Sequence, residues 1–169
     1  MHLSKRSSCR GFTLIDCIGA TLIVAVALAG IFYTNGRALT MLRALKMTAI
    51  SSKSLQQRLE QARTANWTEV TDAAFLQDLY STPTDSAGEL NGETDRITVS
   101  QWPVAATPLP NLQVTRNADG TVTINSDSPA IVDGTAVRVD VRISWPGGVG
   151  GATRMRESSM IIANGGVGR

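Results

Sequence analysis

Histidine is nearly missing from this sequence: His2 is the only one. The remainder of the chain therefore has no imidazole for a catalytic triad, a general base or a zinc site. It has no glycine-rich phosphate loop either. We expect no enzyme activity and no cofactor. Cysteine is as scarce, with only Cys9 and Cys17. Aromatic residues make up 5% of the chain, so any core must be built mainly from Val, Ile and Leu. Proline is absent between residues 12 and 63, which permits a long unbroken helix there. Acid is absent from the first 11 residues, which hold Lys5, Arg6 and Arg10. Beyond them the balance is 13 basic residues against 14 acidic, so the formal charge of +2 belongs to the N-terminal end. No basic cluster elsewhere is interleaved with aromatics, and nucleic acid is not an expected partner.

What the chain does have is an apolar run, FTLIDCIGATLIVAVALAGIFY, over residues 12–33, with Asp16 as its one charge. As a helix it would be about 33 Å long, enough to cross a hydrocarbon core of about 30 Å. The three basic residues before it, with none after it until Arg37, predict a cytoplasmic N-terminus and an exported remainder. Helical periodicity continues through residues 34–63. Leu39, Leu42, Leu45, Ala49, Ile50, Leu55, Leu59 and Ala62 recur at steps suited to one face. Arg43, Lys46, Lys53, Gln57, Arg58 and Glu60 are assigned to the other faces. The pattern predicts one helix of about 50 residues, apolar all round in its first half. Its second half is amphipathic, with Leu42, Leu45, Leu55 and Leu59 turned toward a globular head.

Residues 64–169 supply that head. Trp67, Val70, Phe75, Leu76 and Leu79 suggest short helical or irregular packing, and residues 81–95 read as a loop. From Arg96 the period changes to two, with candidate strands at 96–102, 111–116, 121–125, 136–145 and 153–163. The fourth is the clearest: Val137, Val139, Val141, Ile143 and Trp145 on one face, Arg138, Asp140, Arg142 and Ser144 on the other. Asp119-Gly120 between the second and third predicts a type I′ hairpin. That turn accounts for Asn117 and Asp119 better than a calcium loop, whose closing glutamate is missing. The expected fold class is α+β: a long N-terminal helix with an antiparallel sheet packed on its second half.

The segment from Lys5 to Asp16, with Gly11-Phe12-Thr13-Leu14-Ile15-Asp16 at its end, resembles the leader of type IV pilins and type II secretion pseudopilins. That family has a short basic leader, an invariant glycine, and then usually Phe-Thr-Leu-Ile-Glu. The motif covers about a dozen residues. The order that follows it here, a span, a long helix and a β-rich head, is also the family's. The resemblance implies a leader at residues 1–11, cut by a prepilin peptidase between Gly11 and Phe12, and N-methylation of Phe12. It implies a span at 12–33, an inner-membrane precursor with a periplasmic head, and a hetero-oligomeric filament of other pilins or pseudopilins. Cys9 and Cys17 would then lie on opposite sides of the cut. Asp16 stands where relatives have the glutamate thought to pair with a terminal amine during assembly. Aspartate keeps that charge but is one methylene shorter.

Two members of the family are open: a minor pilin, favoured by the Trp145-Pro146-Gly147-Gly148 turn before the last strand, and a pseudopilin of a type II secretion system. A third reading is a soluble periplasmic or secreted binding module. Lys5, Arg6 and Arg10 would be its n-region, and Ala27-Leu28-Ala29 a cleavage site before Gly30. It requires Asp16 inside the h-region and a cut within a continuous helical pattern.

Overall fold

A computed structural model of the protein describes residues 13–84, 89–90, 92–104, 111–125, 135–147 and 151–165. The fold is α+β, as the periodicity predicts. Helix α1 (Leu14–Thr64) is followed by α2 (Trp67–Val70), α3 (Ala73–Ser81), β1 (Thr94–Trp102), β2 (Leu112–Arg116), β3 (Val122–Asn125), β4 (Ala136–Pro146) and β5 (Thr153–Ala163). The strands form one antiparallel sheet in the order β3-β2-β1-β4-β5.

The chain divides into two compact units between Leu42 and Arg43, with α1 contributing to both. In the first unit every described residue is exposed. Leu22, Ile23, Val26 and Phe32 are among the large apolar side chains open to the surroundings. The stretch is long and apolar enough to cross a membrane. Its threonine hydroxyls are satisfied within the helix, as a low-dielectric surrounding requires. Thr21 Oγ1 donates to the carbonyls of Cys17 and Ile18, and Thr34 Oγ1 to those of Gly30 and Ile31.

In the second unit, α1, α2 and α3 cover one face of the sheet. Val137, Val139, Val141, Ile143 and Trp145 of β4 are buried there, with Ile97 and Val99 of β1 and Leu112 and Val114 of β2. Each such burial stabilises by about 1.5–3 kcal/mol. Arg142 and Glu157 pair across β4 and β5 on the opposite face, and Arg138 pairs with Asp140 along β4. Trp145 packs in the core, whereas Trp102 sits half-exposed at the end of β1. The short helices have local causes: Asn66 and Glu69 form a capping box for α2, and the Asp72 carboxylate accepts from Ala74 N–H and Phe75 N–H to start α3.

Four details differ from the sequence expectation. The face of α1 toward the sheet is Ser51, Ser54, Leu55, Arg58 and Ala62, flanked by Met47, Ile50 and Leu59. Leu42 and Leu45 stay exposed within the chain, because the stripe turned to the head begins about one turn later. Arg58, assigned to a polar face, is buried. β1 starts at Thr94, which moves Asp95 from the expected loop onto the core face with Ile97 and Val99. The hairpin between β2 and β3 is present, but its loop is longer than two residues, since Arg116 pairs with Val122. Gly120 N–H donates to Asn117 O and Asn117 N–H to Thr121 O, with Gly120 at φ 86°. The Asp119 carboxylate accepts from the Thr121 N–H and hydroxyl, which fixes the longer turn.

Candidate functional site

Gly11 and Phe12, the residues of the expected cut, lie outside the described residues. Asp16 is in the first turn of α1 and exposed. Its Oδ2 accepts from Thr13 Oγ1 at 2.7 Å and from Thr13 N–H at 3.1 Å, while Asp16 N–H reaches back to Thr13 Oγ1 at 3.4 Å. This reciprocal arrangement satisfies donors that a helix N-terminus otherwise leaves open. Asp16 thus has a local task that sequence reasoning missed, although Thr13-x-x-Asp16 has the spacing of a capping box. The carboxylate lies where the helix dipole favours negative charge. Farther along, Gly19, Gly30 and Gly36 have nothing within 4 Å of where a Cβ would stand, so packing within this chain does not require them.

The second unit holds a buried polar cluster that the sequence did not announce. Arg58 is 1% exposed, and Asp95 2%. Arg58 Nε donates to Asp95 Oδ2 at 2.7 Å, Nη1 to Gln61 Oε1 and to the Leu79 carbonyl, and Nη2 to the Thr82 carbonyl. The guanidinium also lies 4.4 Å from the centre of the Tyr80 ring. One side chain therefore ties α1 to β1 and to the C-terminal end of α3. The signal for Arg58 was its spacing: 51, 54, 58 and 62 are consecutive steps along one helical face. For Asp95 it was parity with Ile97 and Val99.

Asp95 faces Arg116 across β1 and β2, and Arg116 Nη1 donates to the carbonyls of Tyr80, Ser81 and Gly120. Arg58, Asp95, Arg116 and Gly120 border a cavity of about 150 Å³, also lined by Gly92, Glu93 and Asn117. Gly92 has φ 73° and a Cβ there would press on Pro146, so the chain leading into β1 requires glycine. Burial and the neighbouring Asp95 carboxylate push Glu93 up to about 7, against the pull of Arg58 and Arg116. Burial also raises Asp95, opposed by Arg58, and holds the Tyr80 hydroxyl well above its ordinary value. Among the described residues no group of three or more His, Cys, Asp or Glu side chains is gathered to hold a metal ion.

Glu93 makes stability depend on pH in a definite direction. Its folded value lies above its ordinary 4.5, so between about 4.5 and 7 the folded chain holds a proton that the unfolded chain has released. Stability is highest below that window and falls as pH rises through it. Glu93 is part-exposed, so screening reduces the effect to about 1–2 kcal/mol. Urea unfolding at pH 4.5 and pH 8 should show this loss, and Glu93→Gln should remove it and be the more stable chain at pH 8. Identical pH profiles for the two chains would show that Glu93 is not the group responsible.

Comparison with family models, with curated proteins and with solved structures gave no match for this chain.

Proposed function

We propose that the chain is a minor pilin-like structural subunit of a type IV pilus-type filament, made as an inner-membrane precursor and cut by a prepilin peptidase between Gly11 and Phe12. The observation that carries this reading is the continuity of α1 from Leu14 to Thr64. Its exposed apolar half follows the Gly11-Phe12-Thr13-Leu14-Ile15-Asp16 motif directly, and its other half is the spine of the head. A cut before Gly30, as in an ordinary secretory signal, would fall in the middle of that helix. A cut before Phe12 retains the apolar half, which then needs lipid or the like helices of neighbouring subunits. Gly19, Ala20, Ala25, Ala27, Ala29 and Gly30 let such helices approach closely, and within this chain none of the three glycines of α1 is needed for packing. The Trp145-Pro146-Gly147 turn, closed by Gly147 N–H donating to the Ala152 carbonyl, favours the minor pilin over the pseudopilin of a secretion system.

In this reading Asp16 has two roles, capping its own helix and pairing with the N-terminal amine of a mature subunit. The two are separable because asparagine can still accept from Thr13 but has no charge. Asp16→Ala and Asp16→Asn should both be inserted and processed yet enter filaments poorly, whereas Asp16→Glu should enter at least as well as wild type. The measurement is the ratio of this subunit in sheared filaments to that in membranes. Wild-type incorporation of Asp16→Asn would leave the cap as the only role of Asp16.

A further inference from the structure

We propose that β5 is an interaction edge whose occupant is the β5 strand of a second copy of this chain, paired antiparallel about Ser158. The proposal does not rest on the filament reading. Two edges close the sheet, and they are built differently. β3 is four residues long, the kind of short edge that resists further pairing. β5 is 11 residues long and in register with β4 at every position from Thr153 to Ala163, so no bulge breaks its line. It has no proline and no lysine, residues that commonly blunt an edge. Among the described residues no strand lies beyond it, and Thr153, Arg154, Met155, Arg156 and Glu157 are all exposed. A strand paired along one side alone leaves the N–H and C=O groups of alternate residues unused on the other.

The residues of β5 select the strand that fits. Its charges, Arg154, Arg156 and Glu157, all precede Ser158, its middle residue, and residues 159–163 carry none. Pairing two copies about Ser158 sets the charged half of each against the uncharged half of the other. Arg154 then stands opposite Ile162, Arg156 opposite Met160, and Glu157 opposite Ser159. Met155 and Ile161 lie on the face turned away from the helices, beside Ser144 and Arg138 of β4, and are 60% and 55% exposed. The same register brings Met155 of each copy against Ile161 of the other, so these apolar side chains cover one another twice. Slipping by two residues in one direction opposes Glu157 to Glu157, and by four opposes Arg156 to Arg156, like charges that disfavour pairing. Slipping the other way parts Met155 from Ile161 and leaves strand ends unpaired. The favoured register joins the two five-stranded sheets into one, with the helices of both copies on the same face.

The test uses the full chain in detergent micelles, with Cys9 and Cys17 replaced by serine so that an introduced thiol is the only one. In the paired strands Ser158 meets its own counterpart at a Cα separation of about 4.5–5.5 Å, within disulfide range. Ser158→Cys should therefore give a cross-linked dimer under mild oxidation. Thr153→Cys should not, because its counterpart lies at the far end of the ladder, on the order of 30 Å away. In the chain without these thiols, light scattering against protein concentration should show a reversible dimer. Met155→Lys, which sets a charge against Ile161 in two places, should weaken that dimer at least tenfold while leaving the thermal midpoint of the monomer unchanged. Thr153→Cys linking as fast as Ser158→Cys would overturn the proposal. So would a dimer that Met155→Lys leaves intact, since its interface would then lie elsewhere, on the apolar half of α1 for example. A chain that stays monomeric at every concentration would overturn it too, and leave the edge to a strand of a different protein.

Discussion

Arg58→Ala is expected to destabilise the second unit by about 3–5 kcal/mol, the cost of breaking a buried ion pair from one side. Asp95 would lose the charged hydrogen-bond partner that Arg58 provides, and the carbonyls of Leu79 and Thr82 would lose the donors that fasten the end of α3 to α1. A loss of that size lowers the midpoint by about 10–20 °C for a unit of this length. Replacing both partners, Arg58→Met with Asp95→Leu, should recover most of it, because apolar groups of similar volume leave fewer unmet polar atoms. Urea or thermal unfolding of the two variants beside wild type decides the point. A single variant within about 1 kcal/mol of wild type would mean that the cluster contributes little.

The second large effect concerns processing. Gly11→Leu should leave membrane insertion intact, since the apolar run begins after it, while abolishing cleavage. On the filament reading the precursor would then carry residues 1–11, including Lys5, Arg6 and Arg10, from the bilayer into the fibre. Charges carried into a packed helical core are strongly disfavoured, so filament entry should fall to background. Immunoblotting of membranes and sheared filaments reads both steps at once. Normal processing of Gly11→Leu would remove the basis for placing the cut there.

The sheet was legible in the sequence because a face buried on one side writes its period into the side chains. The alternation from Val137 to Trp145 is the plainest case, and the strand boundaries differ from expectation by two residues or fewer. Helix α1 was legible for the complementary reason: a proline-free run with helical spacing and too little polarity for a loop. What residue type hid was a charge on the inside, although the spacing of Arg58 and the parity of Asp95 put both on buried faces. Arg58 reads as surface by residue type, and Asp95, its partner, is 37 positions away in a stretch read as loop. Only tertiary contact reveals that each satisfies the other. Leu42 and Leu45 show the opposite case, apolar residues that the chain by itself does not cover. The cavity beside Glu93 has no linear signature, because α1, β1 and β2 assemble it with the turn that holds Gly120.

The filament reading turns on which residue opens the mature chain. Intact-mass analysis and N-terminal sequencing of the wild-type protein isolated from membranes answer this directly. A mature chain that starts at Phe12, with a methyl group on its amine, is the predicted result. A chain that starts at Gly30 would contradict it, since the apolar half of α1 would then be a discarded secretory signal and no filament could be built on it.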